Sequence, residues 1–209
     1  MMAGLQRVGY PNGLFLIIEF FVHIIYLHGF CSSVDSFKAQ LVKSYIERNN
    51  VHTLFLKDLP PSPAQAMSLV EAHIASLDDQ PWGVVGSSLG GFYATYLSQK
   101  YAKKAVLINP AVDAHLILEK ALGKNTNYHT GESFDFTQTH LQELQQLHLP
   151  KLQQAQNLLL LTKVGDEVLD FQKGVDYYQG SEQVVLGGGD HGFADYENYL
   201  EKTFDFLTS

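Results

Sequence analysis

With one cysteine in 209 residues, Cys31, the chain can form no internal disulfide, which fits a reducing, cytoplasmic setting. Cys31 reads as a small buried or half-buried residue rather than a thiol nucleophile. Basic residues are scarce as well. Fourteen Lys and Arg against 22 Asp and Glu give a formal charge of −8, with no Lys/Arg cluster and no aromatic–basic interleaving. Polyanions are held by such clusters, so no nucleic-acid partner is expected. Long apolar runs are missing too. Leu14 to Leu27 is strongly apolar, but Glu19 and His23 interrupt it before the ~20 residues a membrane span requires. A secretory leader would need a basic start and a small-residue cleavage site, whereas Arg7 stands alone and no Ala-x-Ala follows. Residues 1–22 are therefore read as an extension outside the fold proper, with an amphipathic membrane-touching arm as the alternative; no stable membrane insertion is expected.

Internal repeats and interdomain linkers are absent from the rest, and 45% hydrophobic content over this length suits a single domain, residues 23–209. From His23 onward short apolar segments alternate with amphipathic ones, the signature of a parallel sheet covered by helices on both faces. The expected strands are His23–Leu27, His52–Leu56, Pro81–Val85, Lys104–Ile108, Asn157–Thr162 and Gln183–Leu186. Helices are expected over Val34–Asn49, after Ser62-Pro63, after Ser88, and over Asp170–Tyr178 and Asp195–Leu207; Phe37, Leu41, Tyr45 and Ile46 would give the first its apolar side. Ala111–Lys151 breaks this rhythm: a short helix near Asp113–Leu122, a polar loop Gly123–Gly131 and a glutamine-rich helix near Thr137–Leu147 read as a cap-like insertion. Right-handed crossovers then favour the strand order 2-1-3-4-5-6, which reverses its winding between the first and third strands. Ligands of open α/β sheets bind at such reversals, beyond the carboxyl ends of the strands.

Gly86-Ser87-Ser88-Leu89-Gly90-Gly91 stands at that reversal, between an apolar strand and a helix. Gly86-x-Ser88-x-Gly90 in this context is the nucleophile elbow of α/β-hydrolases, with glycines two residues either side where a Cβ would collide with backbone. The turn exposes the Ser88 hydroxyl and aims a helix N-terminus at whatever Ser88 attacks. A serine hydroxyl needs a base to take its proton. Among nine histidines, His191 in Gly187-Gly188-Gly189-Asp190-His191-Gly192 is the candidate, on a flexible loop leaving the last strand. His129, His140 and His148 are expected at the surface of the insertion. No Lys-Ser/Thr follows the glycine run, so it is no phosphate loop. A carboxylate must fix the imidazole tautomer. Asp166, first after the turn glycine in Gly165-Asp166-Glu167-Val168-Leu169-Asp170, is preferred over Glu167 and Asp170. For an oxyanion the donors would be the Leu89 N–H and the Phe30 N–H, with Gly29 allowing close approach and His28 orienting that loop or simply buried and satisfied. Ser87, Ser32 and Ser33 are read as structural. No metal and no organic cofactor is implied.

Taken in order, Tyr26-Leu27-His28-Gly29-Phe30, Gly86–Gly91, Asn109-Pro110-Ala111, Gly165–Asp170 and Gly188-Gly189-Asp190-His191 resemble the YqiA-type bacterial esterases, small proteins of α/β-hydrolase fold. The likeness runs from about His23 to the end and leaves residues 1–22 outside it. It implies an esterase acting on small-molecule acyl esters or acyl-CoA thioesters, with Ser88, Asp166 and His191 as its triad. The rivals are a thioesterase proper, a peptide-bond hydrolase, and a non-catalytic ligand-binding protein of the same fold, which would have no reason to keep all three residues.

Overall fold

The computed structural model describes residues 21–50 and 52–209, together with the backbone course of residues 5–9 and 15–19. Those two upstream segments are strands β1 (Leu5–Gly9) and β2 (Phe15–Glu19), paired antiparallel with each other as a separate two-stranded sheet. The remainder of the extension expected over residues 1–20 lies outside the described residues. Val22, at the end of that expected extension, is buried in the main core.

The main sheet begins with β3 (His23–Leu27), followed by α1 (Phe37–Asn49), β4 (Thr53–Leu56), α2 (Pro63–Ala75) and β5 (Trp82–Ser87). Next come α3 (Leu89–Tyr101) and β6 (Ala105–Ile108). The insertion holds α4 (Ala114–Ile117), β7 (Gly123–Thr126), β8 (Ser133–Phe136) and α5 (Gln138–Leu147). β9 (Leu158–Lys163), α6 (Phe171–Tyr177), β10 (Glu182–Leu186) and α7 (Leu200–Thr208) complete the chain. Six strands lie in the order β10-β9-β6-β5-β3-β4, every pair parallel. This is the expected 2-1-3-4-5-6, and the fold is that of an α/β-hydrolase.

Side chains alternate across a strand, so each apolar strand feeds two cores. Ile25, Leu27, Val84, Leu107 and Leu160 meet α2 and α3 on one face. Ile24, Tyr26, Val106, Leu159 and Leu161 meet α1 and α7 on the other. Buried on both faces, the inner strands read as continuous apolar runs, whereas the edge strands β4 and β10 carry Thr53, Glu182 and Gln183 and are only partly covered. α2 starts as its sequence directs: Pro63 takes the first position, and the Ser62 hydroxyl accepts the Gln65 N–H at 3.2 Å.

Two expectations are corrected. α1 begins at Phe37, not Val34, because Ser33–Ser36 is held in a turn: the Ser33 hydroxyl accepts the Asp35 N–H, and Asp58 accepts that of Val34. The helix consequently turns Ala39, Val42 and Ile46 to the sheet and leaves Phe37 53% exposed. The stretch Gly123–Gly131, expected as loop, supplies β7 and the tip of an antiparallel hairpin with β8, Gly123 opposite Phe136. Phe136, Leu141 and Leu144 of the insertion join the core above α2 and α3, and Glu143 accepts hydrogen bonds from the Ser62 hydroxyl and the Ala64 N–H.

Candidate active site

β5 ends and α3 begins within one residue, and that residue is Ser88, at φ 56° and ψ −118°. A non-glycine residue holds such a conformation only where its surroundings over-determine it. Here they do. The Ser88 N–H donates to the Ile108 carbonyl of β6 at 3.0 Å, and the Ser88 carbonyl accepts the N–H of Gly91 and of Ala111. The turn is tight enough that a Cβ on Gly86 would stand 2.2 Å from the Gly90 carbonyl oxygen. One on Gly90 would stand 1.9 Å from the Leu27 carbonyl oxygen. Both glycines are thus required by neighbouring backbone.

The loop leaving β10 brings the His191 imidazole over Ser88, with Nε2 3.1 Å from the hydroxyl oxygen. On the other side of the ring, Nδ1 lies 2.8 Å from Asp166 Oδ2. A neutral imidazole carrying its proton on Nδ1 satisfies both contacts: it donates to the carboxylate and accepts from the serine. The second Asp166 oxygen accepts the N–H groups of Val168 and Leu169 at 2.9 and 2.8 Å. The side chain is 1% exposed, that of His191 22%. Burial pushes the Asp166 carboxyl up, but hydrogen bonds from His191, Leu169 and Val168, with the attraction of the imidazole, outweigh it and hold the group below the usual aspartate value.

Its two competitors are occupied otherwise. Glu167 accepts the His191 backbone N–H at 3.0 Å; its own backbone N–H, and then that of His191, hold its exposed carboxyl low, and Asp170 caps α6 by accepting the Gln172 N–H. A residue that sequence reasoning left as a strand end ties the loop down. Asn109, in left-handed conformation at the end of β6, donates from Nδ2 to the carbonyls of Asp190 and His191 and accepts the Lys163 N–H on Oδ1. Lys163 is buried, paired with Asp195 at 2.7 Å and set over the Phe193 ring. Only the Asn-Pro dipeptide hinted at this, as a sharp stop to the strand.

Across the switch point, Gly29 is close enough to Ser88 that an added Cβ would lie 3.2 Å from the serine Cβ. His28 Nδ1 donates to the Gly29 carbonyl at 2.9 Å, and Nε2 accepts the Leu59 N–H at 2.9 Å. The ring is thus buried with both nitrogens hydrogen-bonded, one of them to the loop at Gly29. Burial keeps it neutral by lowering its pKa. The Phe30 and Leu89 residues line a cleft of about 170 Å³ beside Ser88, closed by Leu59, Pro60, Tyr93 and Phe134. Neither backbone N–H is engaged in a turn or cap hydrogen bond among the described residues.

The β7–β8 hairpin is fastened to this loop. Tyr128 N–H donates to the Cys31 carbonyl and Asn127 Nδ2 to the Ser32 carbonyl, each at 2.8 Å, while the Phe30 ring meets Phe134 and Phe136 edge to face. Cys31 is 8% exposed, and burial pushes its thiol up, away from the thiolate. Ser87 and Ser33 are buried. Of the insertion histidines, His129 is exposed, but His140 caps α5 through the Thr137 N–H and His148 packs half-buried against His115. Helix docking against the core explains that departure from the surface placement expected. Among the described residues no group of three or more His, Cys, Asp or Glu is placed to hold a metal ion, and no helix is long and apolar enough to cross a membrane.

Residues 23–208 match the model of the uncharacterised protein family UPF0227. The chain belongs to that family. The match bears out the YqiA-type resemblance, and the UPF0227 region opens at His23, the first residue of β3. Solved structures share its fold at low identity. Mouse alpha/beta hydrolase domain-containing protein 10 superposes with a TM-score of 0.65 at 20% identity, over 88% of each chain. Est1E from Butyrivibrio proteoclasticus gives 0.66 at 13% identity, over 97% of this chain and 96% of its own. The esterase domain of a Rhodothermus marinus protein gives 0.63 at 17%, over 100% and 97%.

Proposed function

We propose that this UPF0227 chain is a serine hydrolase of carboxylic esters, extending to acyl thioesters. One observation carries the reading: a serine on a strained elbow hydrogen-bonded to an imidazole that is itself hydrogen-bonded to a buried carboxylate. As the Ser88 oxygen bonds to the acyl carbon, His191 Nε2 takes the serine proton, and Asp166 stabilises the imidazolium so formed. The carbonyl oxygen becomes an oxyanion, received by the Phe30 and Leu89 N–H groups. Its collapse breaks the bond to the leaving alcohol or thiol, which departs with the proton from His191. Water then repeats the sequence on the acyl-serine, losing its proton to His191 and releasing the acid.

The insertion acts as a cap on this scheme, since Asn127, Thr130, Glu132, Ser133 and Phe134 wall the cleft. Its size and lining would set acyl preference. The hydrolase domain on this reading is residues 23–209, and the upstream strand pair is an addition to it. A fluorophosphonate probe tests the proposal: labelling of the native protein at Ser88, lost in Ser88→Ala and accompanied by hydrolysis of a short-chain p-nitrophenyl ester, is expected. A folded protein that neither labels nor hydrolyses is a ligand-binding relative, and the proposal fails.

A further inference from the structure

Lys38 stands where its own helix gives it no reason to be. It is the second residue of α1, in a first turn with no acidic side chain, so its charge faces the positive end of the helix dipole. The Ser36 cap of that helix makes no side-chain hydrogen bond either. Yet the lysine is half-buried, and its Nζ donates to the Gly192 carbonyl at 2.6 Å. Gly192 follows His191 directly. Three neighbouring peptide groups of that loop are also held, by Asn109 at the Asp190 and His191 carbonyls and by Glu167 at the His191 N–H. Lys38 adds a fourth tie from α1, and the carboxylates of Asp190 and Asp166 attract its ammonium.

We infer that Lys38 is a positioning residue for the hydrolysis proposed above, its ammonium clamping the Gly192 carbonyl so that the His191 imidazole stays directed at Ser88. The inference rests on the serine-hydrolase reading. A residue that breaks local helix preference to reach a site loop is what a functional constraint produces. Gly188 and Gly189 both adopt positive φ and supply no side chains to tether the loop, and Lys38 adds a tether from α1 at the residue next to His191. Burial lowers the Lys38 pKa to about 8, against the raising influence of Asp190 and Asp166, the charged groups facing it from the loops after β10 and β9. The clamp is therefore charged at neutral pH and loses its charge just above it. A neutral amine is the weaker donor, so imidazole alignment, and with it kcat, declines through that range.

The test is the pH dependence of kcat and kcat/KM, from pH 6 to 10, for wild type, Lys38→Arg and Lys38→Met acting on a short-chain p-nitrophenyl ester. Wild type should lose about five-fold in kcat on passing pH 8, the order of difference between a charged and a neutral donor. Arginine keeps its charge, so Lys38→Arg should retain its plateau to pH 10. Lys38→Met should be about five-fold slower at pH 7, flat above it, and no less heat-stable at pH 7, since a depressed lysine pKa marks a charge whose burial opposes folding there. Coincident profiles for all three proteins, or an alkaline decline that persists in Lys38→Arg, would overturn the role of Lys38 while leaving the hydrolase intact. Should Lys38→Met fail to fold, the Arg variant decides alone. A wild type that neither hydrolyses the ester nor labels at Ser88 sinks the hydrolase and this inference together.

Discussion

Replacing Asp166 by Asn removes a charge but leaves the shape of the side chain, and the hydrogen bonds around it dictate which way the new amide must face. Oδ1 accepts two backbone N–H groups, from Val168 and Leu169. Turning an NH₂ toward them would set donor against donor twice, so the amide oxygen stays there and the NH₂ faces His191 Nδ1. That nitrogen must then accept, which moves the imidazole proton to Nε2, 3.1 Å from the Ser88 oxygen. The ring now offers the serine a donor where a base is required. Losing the base in this way corresponds to a kcat lower by about 10³- to 10⁴-fold, or roughly 4–5.5 kcal/mol of barrier, with KM little altered. The assay is steady-state hydrolysis of a short-chain p-nitrophenyl ester, alongside thermal melts to show that the variant folds. Asp166→Asn within ten-fold of wild-type kcat would refute the reasoning, because a tautomer-locked imidazole could not then be the base.

Three further outcomes are expected. Gly90→Ala should fail to give folded protein, since the new methyl would meet the Leu27 carbonyl at 1.9 Å, whereas Gly29→Ala, with 3.2 Å to the Ser88 Cβ, should fold and lose activity; equal melting temperatures would contradict this contrast. Asn127→Ala removes the side-chain tie from the hairpin to Ser32 and should lower kcat about ten-fold through a displaced Phe30 N–H, with KM within two-fold; a KM effect alone would refute it. Burial depresses the pKa of His23, His28, His73 and His115 below the ordinary value near 6.5, so between the folded and unfolded values the unfolded chain binds more protons. Stability conferred by keeping them neutral is present above about pH 6.5 and is lost on acidification; urea midpoints that stay level from pH 7 to pH 5 would contradict the assignment.

The sheet was legible because each inner strand is a short apolar run closed by a turn signal. His23–Leu27 ends at His28-Gly29, and Ala105–Ile108 at Asn109-Pro110. That Ser88, His191 and Asp166 would meet was legible because each follows a strand beside glycines that free the backbone. The hairpin of the insertion was not. Gly123, Lys124 and Asn125 have little strand preference, and their pairing depends on Phe134 and Phe136 finding Phe30, a contact some hundred positions away in sequence. Long-range ties of the same kind hid Asn109 and Lys38, whose work is done on carbonyl groups that any residue type would supply.

The elbow serine and the imidazole that faces it are made at different times. During synthesis β5 and α3 leave the ribosome well before the loop after β10, so the Ser88 hydroxyl spends that interval without a base. A nascent or prematurely terminated chain would therefore be chemically quiet toward the esters around it. On the proposed reading, hydrolysis would await the docking of β10 against β9, which brings the His191 loop to Ser88.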